Sequence, residues 1–139
     1  MATIDATATI TSEIASYPIT IIGEMTMTKS ANPSVGLEET TGLRTKKFTA
    51  TTATVVVEED EYTDTKASKL YMRNTGSSSS NFFYVAKHAS AAASTTTETI
   101  GKLYGGDWMI IPYDGATNIT VAASSAETMT LEWMVFAEN

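Results

Sequence analysis

The chain has 139 residues, 42% of them hydrophobic and 18% charged, with a formal net charge of −7 and no cysteine. This length suits one domain with one core. The acidic balance argues against nucleic acid, which requires clustered Lys and Arg, and the lack of cysteine excludes disulfides and thiolate chemistry. Threonine occupies 25 positions, and its β-branched side chain suits a pleated, half-exposed surface. Runs of Leu, Lys, Glu and Arg that favour helices are nearly absent, which points to strands.

Residues 1–16 (MATIDATATITSEIAS) are small and Thr/Ala-rich, with Ile4, Ile10 and Ile14 as the large apolar groups. The spacing of Ile10 and Ile14 would place them on one helical face, but threonine at this density weakens a helix. The segment is therefore expected to be an extended arm ordered by packing on a neighbour, with a short helix or a frayed end as alternatives. It lacks the basic region and unbroken apolar stretch of a secretory signal. No run approaches the roughly 18 apolar residues of a membrane span.

Tyr17 to Thr28 alternates, with Met25 and Met27 opposed to Thr26 and Thr28, and reads as a strand with a bulge or bend at Gly23. Lys29 to Gly42 contains Asn32-Pro33, Gly36 and Gly42 and reads as a long loop of the functional or interfacial kind. Thr45 to Glu58 forms one or two strands ending in Val55-Val56-Val57. The acidic run Glu58-Glu59-Asp60-Glu61 with Asp64 closes it as a solvated turn.

From Ser68 the pattern sharpens. SKLYMRN alternates Leu70 and Met72 against Tyr71 and Arg73. Asn74-Thr75-Gly76 and four serines form a turn, and NFFYVAK from Asn81 to Lys87 reads as the return strand of a hairpin. A small-residue loop follows from His88 to Thr97. Gly105-Gly106-Asp107 marks a turn before a strand from Trp108 to Ile111, stopped by Pro112. Asp114-Gly115 marks another turn, before strands at Asn118–Ala123 and Thr128–Phe136. In the last strand both faces carry large apolar groups, which predicts a central or doubly covered position. Together these are about eight antiparallel strands with turns every 8–12 residues. The expected fold is an all-β, jelly-roll-like single sandwich over 17–139, with the arm at 1–16.

No reacting cluster is legible. His88 is the single histidine and cannot supply multi-His zinc ligation. The acidic run lacks the spacing of a calcium loop, and no carboxylate pair is fixed at a glycosidase separation. Gly101, Gly105 and Gly106 follow no parallel-sheet pattern and precede no helix, so they read as turn residues and not a phosphate cradle. No catalytic, cofactor or metal residues are assigned. The aromatics Tyr71, Phe82, Phe83, Tyr84, Tyr104, Trp108, Tyr113 and Trp133 could form a sugar-binding platform, but their places in strands favour core packing.

The stretches LYMRNTGSSSSNFFYVAK and ETIGKLYGGDWMIIPYDGATNITVAASSAETMTLEWMVF resemble β-sandwich modules of structural proteins in tailed bacteriophages. The matching positions are Leu70, Asn74, Thr75 and Gly76, then Leu103, Gly106, Asp107 and Pro112, then Val121, Ala123, Glu132 and Phe136. The resemblance covers about half the chain, and residues 1–67 have no counterpart in it. It implies a capsid decoration (cement) protein on the phage head, clustered as a homotrimer, touching the major capsid protein and synthesised in the host cytoplasm. Tail, head-fibre and adaptor components share such modules, and a carbohydrate-binding module is the alternative from another class. Under the cement reading the contact segments are the arm and the 29–42 loop, with Ile4, Ile10, Ile14, Asn32, Pro33, Val35 and Leu37 as candidate interface residues.

Overall fold

The computed structural model describes residues 3–12, 19–28, 39–59, 61–62, 68–88 and 99–137. Among them there is no helix and eleven strands follow in order: β1 (Thr3–Ser12), β2 (Ile19–Thr28), β3 (Glu39–Thr40), β4 (Arg44–Phe48), β5 (Thr54–Val57), β6 (Ser68–Asn74), β7 (Phe82–Lys87), β8 (Thr99–Tyr104), β9 (Trp108–Tyr113), β10 (Ile119–Ala123) and β11 (Met129–Ala137). The all-β expectation holds. Every described strand pair is antiparallel.

Two sheets face each other. One has the order β5-β10-β7-β8; the other has β3-β11-β6-β9, with β4 also on β11. The strands β3 and β4 are one edge strand interrupted at Thr41. There the Thr41 N–H donates to the Val135 carbonyl at 3.0 Å, and the Val135 N–H donates to Thr41 Oγ1 at 3.1 Å. A side-chain oxygen thus replaces a backbone acceptor, and Gly42 turns the chain with φ 69°. β11 lies between this edge and β6, so its expected central position is correct.

The alternation read from sequence decides what lies between the sheets. Leu70 and Met72 of β6, Phe83 and Val85 of β7, Val121 of β10, and Leu131 and Val135 of β11 are all fully buried in one cluster. Phe48 and Phe83 meet edge-on with centroids 5.1 Å apart, joining the two sheets through their side chains. Fully burying each such side chain contributes about 1.5–3 kcal/mol.

Several local expectations need correction. β6 and β7 are not a hairpin: β6 pairs with β11 and β9, whereas β7 pairs with β10 and β8. Both strands bury an alternating face in the same core, and the link between them crosses from one sheet to the other. β9 does not stop at Pro112, which pairs opposite Lys69. As the sheet's edge strand, β9 can accommodate a residue without an N–H. Gly23 makes no bulge, since the register runs unshifted through Ala8 and Gly23.

Residues 3–12 form neither a helix nor a lone arm. They pair with 19–28 over ten positions as a separate two-stranded ribbon. Also, Glu39 and Thr40, expected in a loop, are strand residues.

Candidate interaction surface

In the ribbon, small and apolar residues pair with one another. Ala8 is opposite Gly23 and Ile10 is opposite Ile21, while Thr7 is opposite Glu24 and Thr11 is opposite Thr20. A period of two therefore gives β1 a Thr/Asp side and an Ala/Ile side. Ala6 packs on Phe136, as do Tyr71 and Met134, and these three large residues project from the outer face of the five-stranded sheet. The ribbon thus covers this face with small residues.

The mismatch between small residues above and large ones below leaves a cavity of about 590 Å³. Tyr71, Trp108, Ile110, Met134 and Phe136 form its sheet wall, and Ala6, Ala8 and Gly23 face them from the ribbon. Trp108 is 51% exposed at its rim. Nearer the Ser12–Ile19 end of the ribbon, Ile10 and Ile21 are 59% and 55% exposed. The cross-strand isoleucine pair is a small exposed apolar surface.

Of the sequence-derived candidates, Ile10 lies on this exposed end. Ile4 is a β1 residue whose backbone pairs with Met27. Ile14, Asn32, Pro33, Val35 and Leu37 lie outside the described residues. Of the 29–42 segment, residues 39–42 are among the described residues.

The aromatic residues divide differently from the core expectation. Phe83, Tyr113 and Trp133 are in the core. Tyr71 and Trp108 face outward under and beside the ribbon. On the outer face of the other sheet, Phe82 touches Tyr84 and Tyr104 with centroids 4.8 and 4.9 Å apart, and Lys102 lies 4.6 Å over the Phe82 ring. The signal for these platforms was present in the sequence as strands with large residues on both faces, Trp108–Ile111 and Phe82–Tyr84.

The His88 N–H donates to the Asn118 carbonyl at 3.0 Å, continuing the β7–β10 ladder. Glu61 pairs with Arg44 at 3.1 Å; Asp60 and Asp64 lie outside the described residues. Among the described residues no group of three or more His, Asp or Glu is placed to hold a metal. Nor is any helix there long and apolar enough to cross a membrane. Burial first, then the charges of Asp114 and Glu61, push the Tyr113 phenol up to about 12. A hydrogen bond from Lys87 holds the Asp114 carboxyl below its usual range.

Of the three glycines read as turn residues, Gly101 instead lies inside β8, opposite Val85, while Gly105 and Gly106 do form a turn. Gly106 has φ 89°, the Asp107 N–H donates to the Tyr104 carbonyl at 2.9 Å, and Asp107 Oδ2 accepts from the Tyr104 N–H at 3.0 Å. No family model matches the chain, and comparison with curated proteins and with solved structures finds no match either.

Proposed function

We propose that this chain is a structural virion protein of the capsid decoration type, acting by binding alone and cementing a phage head by bridging major capsid subunits. The observation that carries the reading is the division of labour in the chain. A sandwich filled with side chains serves as a scaffold, and a separate ribbon carries Ile10 and Ile21 uncovered at one end. An uncovered apolar end on a small acidic protein suits burial between subunits.

The strand order adds support. With β3 and β4 counted as one strand, the eight sandwich strands run 1-8-3-6 in one sheet and 2-7-4-5 in the other, an order that supports a jelly-roll reading, and jelly rolls are common in capsid proteins. In this reading copies gather as homotrimers on the capsid surface after synthesis in the host cytoplasm.

Purified heads with and without the protein test the proposal. Stoichiometric copies per capsid, and heads that withstand heat or low salt better when the protein is present, are expected. Heads equally robust without it would overturn cementing, and a dozen or fewer copies per particle would point to a tail or adaptor component. A second reading, carbohydrate binding, is favoured only by the exposed Trp108 beside Tyr71; Tyr113, 5% exposed, plays no part in it. A glycan array without hits would remove it.

A further inference from the structure

The outer edge of β1 has no strand on it among the described residues, because the ribbon contains β1 and β2 alone. Such an edge presents a row of backbone donors and acceptors and ordinarily carries Lys, Pro or a bulge to prevent pairing. β1 carries none of these: its ten residues are TIDATATITS, with Asp5 its single charge, and its register against β2 has no shift. Long, regular and uncharged over most of its length, it is an open template for another strand.

The sequence of that edge specifies the strand that fits. Reversed about Thr7, β1 reads almost the same as forwards. Antiparallel pairing of two copies about a two-fold axis through Thr7 sets Ala6 against Ala8, Ile4 against Ile10, Thr3 against Thr11 and Thr7 against Thr7. Asp5 falls opposite Thr9, not opposite the other Asp5, so no like charges meet directly. Centring instead on Ala8 sets Ala6 against Ile10 and Ile4 against Ser12. The edge of β2 is less suited: centring on Gly23 sets Ile22 against Glu24, and a mid-strand glycine weakens pairing.

We infer that two copies of this chain join edge to edge through β1, in antiparallel register about Thr7, making a continuous four-stranded sheet from two ribbons. The contact is isologous and closes on itself. It gives each marginal two-stranded ribbon a second partner, which an isolated hairpin needs for stability, and it aligns the Ala/Ile sides of the two β1 strands on one side of the new sheet. The inference does not depend on the virion reading. On a capsid, this two-fold contact would link chains from neighbouring clusters, separately from any three-fold contact.

Because the chain has no cysteine, single cysteines report the register without background. Opposed residues of an antiparallel pair have Cα atoms about 4.5 or 5.5 Å apart, within the span of a disulfide. Thr7→Cys is expected to give a covalent dimer on mild oxidation. Asp5→Cys and Thr9→Cys should do so poorly alone but well when mixed, with a yield at least about ten times that of either alone. Sedimentation of the unmodified protein at increasing concentration should show a monomer–dimer equilibrium, which Thr7→Lys abolishes by placing two ammonium groups face to face. A protein monomeric at every concentration, or Asp5→Cys linking to itself as readily as Thr7→Cys, overturns the inference.

Discussion

Asn74 of β6 donates through Nδ2 to the carbonyl of Leu103 in β8 at 3.0 Å, a side-chain tie between the two sheets. The residue is 1% exposed, and its Oδ1 accepts from the Gly76 N–H at 3.0 Å, shaping the start of the crossing between sheets. Its backbone is engaged too: the N–H donates to the Asp107 carbonyl and the carbonyl accepts from the Gly106 N–H. The Asn-Thr-Gly sequence therefore anchors a crossing, not a hairpin turn.

Replacing Asn74 with Ala should leave the Leu103 carbonyl and the Gly76 N–H without these partners. The orphaned Leu103 carbonyl, which is buried, costs about 1–3 kcal/mol, whereas Gly76 is exposed and its N–H can turn to water. Urea unfolding should show a lower midpoint with an unchanged m-value. Asn74→Asp keeps the acceptor, loses the donor and buries a carboxylate against the Leu103 carbonyl, so at neutral pH it should cost at least as much as Asn74→Ala. An Asn74→Ala variant as stable as the parent would mean that the tie contributes nothing.

Gly105 and Gly101 make a contrasting pair. A Cβ on Gly105 would sit 2.6 Å from both the N and O of Ser78, in backbone that has no rotamer to yield. At Gly101 nothing lies within 4 Å. Gly105→Ala should destabilise by more than the roughly 1–3 kcal/mol typical of overpacking, and Gly101→Ala should be neutral or stabilise by about 0.4–1 kcal/mol through the unfolded chain. Thermal melts of the two variants side by side decide it.

Tyr113 makes stability fall in alkali. Its phenol, buried and donating to the Thr117 carbonyl at 3.1 Å, holds its proton up to about 12 in the folded state. In the unfolded chain it releases the proton near 10. Above that pH the unfolded state binds fewer protons than the folded one, so unfolding becomes easier as pH rises. Between pH 10 and 12 the loss should reach about 2–3 kcal/mol, and Tyr113→Phe should flatten that slope. The check is the denaturation midpoint against pH for both proteins.

Thr41→Val removes the Oγ1 that accepts the Val135 N–H while keeping the β-branched shape. The N–H sits on a central strand, and losing its partner should cost about 1 kcal/mol. Amide exchange at Val135 should speed up more than at Leu131, whose ladder neighbours are untouched.

Much of the sandwich was legible because its rule is local. A period of two in Leu70–Met72 and in Met129–Leu131–Trp133–Val135 states which residues point inward, and all of these are buried. Which strand lies beside which is not a local property. The Asn74–Gly76 turn chemistry is equally suited to a hairpin and to a crossing, and only the partners of β6, 35 to 69 residues away in sequence, decide between them. Pro112 misled for the same reason, since its tolerance depends on β9 being an edge. In the ribbon, the Thr/Ala alternation of 3–12 carried a strand signal that its small residues masked. The outer platform of Tyr71, Trp108 and Phe136 required knowing that Ala6 and Gly23 would lie above it.

The position of β11 has a consequence for the order in which the chain can be assembled during synthesis. β3, β4 and β6 all hydrogen-bond to β11, and within the five-stranded sheet only β6 and β9 pair without it. Until Met129–Ala137 has been made, that sheet is a detached edge and a single two-stranded piece. The four-stranded sheet can pair by then, but its inward face waits for Met129–Ala137 to complete the sheet that covers it. Such non-local closure makes folding slow, and a ribosome stalled short of Met129 would hold a chain with a sheet it cannot complete.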